Sequence, residues 1–295
     1  MIHKTVLLNE SIENLNLKAG SIFFDGTLGG AGHSSKVCSD FKGKVRVIAT
    51  DKDNLAIRNG KEKLSKLGCS TDLVLSDYRN LDIVLTNLGV DKVDAILLDL
   101  GLSSDQLDTS GRGFTFRNNE PLLMTFGENE QKVDAKVILN NWGEETIADI
   151  LFGYSDERYS RRIAKGIIES RKVKPIETTF DLVEIIKNSV PAGYKRGKTH
   201  FATKTFQALR IAVNDEITAL KEGMKKGWEY LNKGGRMAVI SFHSVEDREV
   251  KNFIRNKVKD SEGKFINKKP IIPKDKEICE NPRSRSAKLR IIEKI

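Results

Sequence analysis

Cysteine is scarce in this chain, and long apolar runs are missing. Its 295 residues hold three cysteines, Cys38, Cys69 and Cys279. Their separation fits neither a disulfide framework nor paired metal ligands. So sparse and odd a set suits a reducing cytosol. No apolar stretch is long enough to cross a bilayer. The one inside MIHKTVLLNES is too short for the hydrophobic region of a secretory leader. Internal repeats and low-complexity tracts are absent as well. A cytoplasmic protein with no metal site and no membrane partner is expected.

What is present is ordinary in amount and uneven in placement. An apolar fraction of 39% and a charged fraction of 31% describe a globular protein. The length suits one large domain or two modest ones. Of the net charge of +9, most lies at one end: from Arg248 onward there are 15 lysines or arginines against 7 acids. That asymmetry points either to a polyanionic partner or to a solvated surface segment.

In the first hundred residues, short apolar runs alternate with helical patterns. SIFFDGT, VRVIATD, TDLVLSD and DAILLDL read as buried strands. Between them, Leu55, Arg58, Leu64 and Leu67 fit one face of a helix over 54–67. This alternation predicts an α/β fold with a parallel sheet covered on both faces. Ligands of such sheets sit at the carboxyl ends of the strands, where Asp25, Asp51, Asp77 and Asp99 fall. The rhythm stops after about Asp108. Residues 109–202 read as an inserted helical domain, with Asp134 as an N-cap, Tyr159, Ile163 and Ile167 on one face, and an amphipathic stretch at 180–190. A long helix striped by Phe206, Leu209, Val213, Ile217, Leu220 and Met224 follows. The Gly234-Gly235 pair is expected to stop it before the strand RMAVISF. Residues 264–273 and 286–295 read as a final pair of strands.

FFDGTLGGAGHS places its glycines in the first strand–helix turn, where they let backbone approach a ligand. Asp25 lies just before those glycines. An acid there suits the ammonium and sulfonium of S-adenosylmethionine and repels the pyrophosphate of a dinucleotide. Asp51 ends the next strand, where an acceptor for ribose hydroxyls is expected. Tyr78 either lies against adenine or is plain core.

HKTVLLNE, DGTLGGAGHS, LLDLGLSSDQLD, GRGFTF, TFQALRIAVNDE, GGRMAVISFHSVEDR and NPRSRSAKLR occur in this order between His3 and Arg290. In that order they resemble the RsmH/MraW family, which methylates N4 of a cytosine in bacterial small-subunit (16S) ribosomal RNA near the decoding centre. The resemblance implies a class I S-adenosylmethionine-dependent methyltransferase fold, Rossmann-like, with an antiparallel last strand. Its methyltransferase domain would comprise 1–108 plus 203–295, and the helical substrate-recognition domain 109–202. It matches Ala31, Gly32, His33, Asp51, Tyr78, Asp99 and Gln106 to cofactor-binding positions, to which the glycine turn adds Asp25 and Gly29. The implied partner is small-subunit ribosomal RNA or the assembling subunit, with the chain a monomer or a homodimer. Four positions depart from the family pattern. Ala31 replaces a usual glycine, Leu123 and Thr125 replace an acid and an arginine, and Phe201 replaces a proline.

Cytosine N4 is a poor nucleophile, so an acceptor for its proton is needed. Asp99, Ser103, Ser104 and His243 are the candidates, although Asp99 also matches a cofactor position and His243 also suits a structural role. Arg161, Arg162, Arg283, Arg285 and Lys288 are candidate RNA contacts. Two other classes remain. A nicotinamide oxidoreductase is disfavoured by Asp25 and the glycine spacing. An RNA-binding assembly factor with weakened catalysis is motivated by Leu123 and Thr125.

Overall fold

A computed structural model describes residues 4–101, 110–127 and 133–295. Two compact units emerge, Met1–Ser103 with Ile217–Ile295, and Ser104–Glu216.

The first unit holds seven strands: β1 (Ile22–Asp25), β2 (Arg46–Asp51), β3 (Thr71–Leu75), β4 (Val93–Asp99), β5 (Leu231–Ser241), β6 (Gly263–Phe265) and β7 (Lys288–Lys294). Their order across the sheet is β3-β2-β1-β4-β5-β7-β6. Strands β1 to β5 pair in parallel, and β7 runs antiparallel to both β5 and β6. The expected class I sheet is therefore the one observed.

Successive strand residues serve opposite faces, as the pleat requires. Phe23, Val47, Leu97, Ala238 and Ile240 enter one core. Their neighbours Phe24, Ile48, Leu98, Met237 and Val239 enter the other. Burial on both faces explains why these strands read as continuous apolar runs.

Several expectations require correction. The helix striped from Phe206 to Met224 is two helices, Thr203–Asn214 and Glu216–Tyr230. Asp215 separates them in a left-handed conformation at φ 50°, its amide closing on the Ala212 and Ile211 carbonyls. Thr203–Asn214 belongs with the second unit, where it packs on helix Glu144–Ser155. Gly234-Gly235 stops no helix, because β5 already begins at Leu231. The pair lies in a register shift between β4 and β5, with Gly234 at φ 77°. In helix Asn54–Ser65 the buried residues are Gly60 and Leu64, Leu55 is exposed, and the exposed Leu67 lies past the helix end. Gly60 abuts the Leu28 side chain, which would have to shift for a larger residue. The expected strand over 264–273 is a short one at Gly263–Phe265, with an isolated bridge from Ile271 to Leu289. Cys38 and Cys69, expected as thiols, are joined by a disulfide. It ties helix Gly32–Asp40 to the turn before β3, a proximity made by the sheet and invisible in their separation of 31 residues.

The second unit is helical, with Ala135–Asn141, Glu144–Ser155, Ser160–Val173, Thr179–Ser189, Ala192–Lys195 and Thr203–Asn214. The Asp134 carboxylate accepts from the Val137 amide as the expected N-cap, and Thr178 with Asp181 forms a capping box. Ile163 and Ile167 are buried as expected, and Phe180 is exposed. Among the described residues, no helix is long and apolar enough to cross a membrane.

Candidate functional site

At the carboxyl edge of the sheet, the turn after β1 is knitted to its neighbours before any ligand is considered. Gly26 donates its amide to the Leu97 carbonyl, and Leu28 donates to Thr50. The Thr50 hydroxyl donates to the Gly26 carbonyl at 3.0 Å. Asp99 donates its backbone amide to Thr27 Oγ1 at 2.7 Å. A Cβ on Gly26 would collide with the Leu98 side chain, so the turn can hug β4 only with glycine there. Ala31 sits in the left-handed region at φ 56° and ψ 30°, with no surface exposed. The family's usual glycine avoids the steric cost that this alanine carries.

Three acids converge on the turn. Asp25, 1% exposed, accepts from the Ser34 hydroxyl at 2.6 Å and the Thr27 amide at 3.2 Å. Asp51 accepts from the Gly29 amide at 2.8 Å and the Asp53 amide at 2.9 Å. Asp99 Oδ2 lies 3.9 Å from Nδ1 of the buried His33, while Oδ1 is buried with no hydrogen-bond partner among the described residues.

Burial raises all three carboxyls. It takes Asp25 to about 6, against the lowering pull of Ser34 and Thr27. Asp99 reaches about 7, with the charges of Asp25 and Glu246 adding to burial. Asp51 is also raised by burial, opposed by the Asp53 and Gly29 amides. Carboxylates gathered where their charge is costly favour a cation among them. That is chemistry suited to a ligand carrying an ammonium and a sulfonium.

The other sequence candidates fall less uniformly. Asp77 lies two residues past β3, caps a short 3-10 helix, and pairs with Arg79 and Lys52. The Tyr78 ring packs so closely on Gly223 that a Cβ there would approach it to 2.5 Å. His243 caps helix Ser244–Lys259. Its Nδ1 accepts from the Glu246 amide at 3.3 Å, and the Glu246 carboxylate accepts from the Phe242 amide at 2.8 Å. Ser103, Ser104 and Gln106 lie outside the described residues.

Arg161 and Arg162 are exposed on helix Ser160–Val173. Arg283 and Arg285 are exposed in the 3-10 turn Pro282–Ser286. This turn leads into β7 opposite the end of β5, since Lys288 pairs with Ser241. Lys288 instead reaches the Asp247 carboxylate at 3.1 Å, beside Arg290 at 2.7 Å. Burial would raise the Asp247 carboxyl, but those two cations hold it below the usual range. Thr27, Ser34 and Thr50 escaped the sequence reading. They lie within or beside the quoted motifs, but only the folded sheet shows which acid or carbonyl each one meets.

The MraW methylase family matches this sequence over residues 1–295. The chain belongs to that family. Among similar proteins is a ribosomal RNA small subunit methyltransferase H of Lachnospira eligens, 44% identical over 99% of this chain and 98% of that one. Proteins of the same name from Brevibacillus brevis, at 42% identity, and Acetivibrio thermocellus, at 43%, align over 99% of this chain. The alignments cover 98% and 99% of those two proteins. A family match from end to end takes in the glycine turn, the three acids and the helical unit together.

Proposed function

We propose that this chain transfers a methyl group from S-adenosylmethionine to N4 of a cytosine in bacterial small-subunit (16S) ribosomal RNA near the decoding centre. The observation that carries the proposal is the family match over the whole chain, on a glycine turn ringed by three acids whose carboxyls are all raised. The cofactor, when bound, supplies an electrophilic methyl group on a sulfonium. Asp25 and Asp99 provide negative charge for its cationic groups, and Asp51 an acceptor for its ribose. Gly29, Ala31, Gly32 and His33 line the turn that receives it. Tyr78, held against Gly223, braces that turn from the core side.

The target base must leave its stack to reach the strand ends. Much of the rate then comes from orientation and water exclusion. Asp99 offers a buried oxygen without a hydrogen-bond partner among the described residues and a carboxyl near 7. It is thus suited to accept from the cytosine amino group and to hold its proton. His243 acts on the site through the helix it caps. The helical unit recognises RNA, free or in an assembling subunit.

Incubation with radiolabelled S-adenosylmethionine and immature small subunits tests the reading. Label in RNA cytosine supports it. Cofactor binding without label favours an assembly factor, and failure to bind cofactor favours an oxidoreductase.

A further inference from the structure

The helical unit contains a cluster that methyl transfer does not use. Asp156 ends helix Glu144–Ser155 in a left-handed conformation at φ 51°, and the next residue, Glu157, is completely buried. Glu157 Oε2 accepts from the Tyr194 hydroxyl at 2.6 Å, and Oε1 accepts from the Tyr159 amide at 2.9 Å. Burial and this carboxylate hold the Tyr194 phenol above its ordinary range, so it stays a donor. A single buried acid thereby fixes two aromatic residues 35 positions apart.

The two rings meet edge to face, with centroids 5.0 Å apart and planes at 71°. Against them lies the exposed Arg158, its guanidinium carbon 4.9 Å from the Tyr159 centroid and 5.0 Å from that of Tyr194. Arg162, one turn along, sits 5.9 Å from the Tyr159 centroid. Stacking on rings leaves the in-plane N–H groups of a guanidinium available to acceptors. Apart from the exposed Asp156 and the buried Glu157, the flanking segments are basic. Residues 158–165 contain four lysines or arginines and residues 195–204 four more, with no acid in either stretch.

We propose that Arg158, Tyr159 and Tyr194 form a stacking site for an unpaired RNA base, with Arg162 and the neighbouring cations engaging the flanking phosphates. The inference rests on the reading of the chain as an RNA methyltransferase and adds to it a second point of RNA attachment. Unpaired RNA is the occupant because its bases stack on tyrosine rings and guanidinium planes while its phosphates pair with cations. An acidic peptide would use the charges alone.

The test uses the full chain and a short fluorescein-labelled oligouridylate, read by fluorescence anisotropy over a potassium chloride series. Arg158→Ala should weaken binding about tenfold, within the usual range for loss of one base-stacking group. Arg158→Lys keeps the charge and loses the plane. It should restore the salt dependence but not the affinity. Tyr194→Phe, which keeps the ring and releases Glu157, reports on the buried carboxylate as organiser and should show an intermediate loss. Melting temperature and S-adenosylmethionine affinity should match wild type in Arg158→Lys.

The proposal is overturned if Arg158→Ala binds RNA as wild type does, if Arg158→Lys recovers full affinity, or if polyglutamate competes as well as unlabelled RNA. Should Arg158→Ala fail to fold, Arg158→Lys and Tyr194→Phe decide the matter alone. Wild-type protein that binds the oligonucleotide through this cluster but labels no ribosomal RNA would overturn the methyl-transfer reading and leave this site standing.

Discussion

Asp51 at the end of β2 accepts a hydrogen bond from the backbone amide of Gly29, 2.8 Å away. The acid expected to receive ribose hydroxyls is thus also a strut for the glycine turn. Asp51→Ala removes both functions. It should weaken S-adenosylmethionine binding by about 1–3 kcal/mol, the usual cost of losing a charged hydrogen-bond partner. Asp51→Asn, which retains an acceptor for Gly29, should lose less. Unchanged affinity by calorimetry in folded Asp51→Ala would shift the anchoring role to Asp25.

Asp99 gives the site a pH dependence with a definite sign. Its folded-state carboxyl lies at about 7, above the ordinary value. Ionising it therefore costs stability as pH climbs from the carboxylate range through 7. Asp99→Asn cannot ionise. Without ligand it should melt above wild type by roughly a few degrees at pH 8, with a smaller margin at pH 5. A cationic ligand favours the ionised form, so wild-type cofactor affinity should rise between pH 6 and pH 8. Equal margins at both pH values, measured by calorimetry, would discard burial as the cause.

At Ala31 the prediction concerns backbone. Glycine there relieves about 1 kcal/mol of left-handed strain but loses a buried methyl group worth about 0.8 kcal/mol. Ala31→Gly should stay within about 1 kcal/mol of wild type. Ala31→Val places a β-branched side chain at φ 56° and should lose more than about 2 kcal/mol. Chemical denaturation of both variants measures the difference; a valine variant as stable as wild type would contradict the assigned backbone.

Arg283 and Arg285 lie exposed in the turn that leads into β7, and Lys288 pairs with Asp247. The double variant Arg283→Ala, Arg285→Ala should flatten the salt dependence of binding to the ribosomal substrate by about one unit of log–log slope per lost phosphate contact. Cofactor affinity should remain within a few-fold. An unchanged slope joined to a markedly lower melting temperature would assign these arginines to bracing the fold.

The sheet was legible because its strands are buried on both faces and spell apolar runs ending in acids. Asp25, Asp51 and Asp99 could be picked out because strand order alone carries them to one edge. Features set by tertiary approach were hidden. Nothing local in the apolar stripe from Phe206 to Met224 announces the break at Asp215. There the Asn214 side chain turns to the loop, accepting from the Phe126 amide and donating to the Met124 carbonyl. The bulge at Gly234-Gly235 was read as a stop because the two share their glycines. The Cys38–Cys69 bond needed the fold to bring its ends together. For His243 a structural role stood only as an alternative and the cap itself was not read, since a histidine before a helix looks the same in sequence whichever atom it serves.

The position of β7 has a consequence for the order of folding. Strand β6 joins the sheet only through β7, and β7 comes last along the chain. Until it inserts, β5 is an open edge, and the faces that receive Ile291 and Ile292 stay wet. The amide of Leu7 likewise waits for the Glu277 carboxylate, 270 residues away. Closures of such span are slow, because chain entropy opposes them before any contact repays it. Pulsed hydrogen exchange during refolding should therefore find the Leu7 amide protected in the final phase, with β6 gaining protection no earlier than β7.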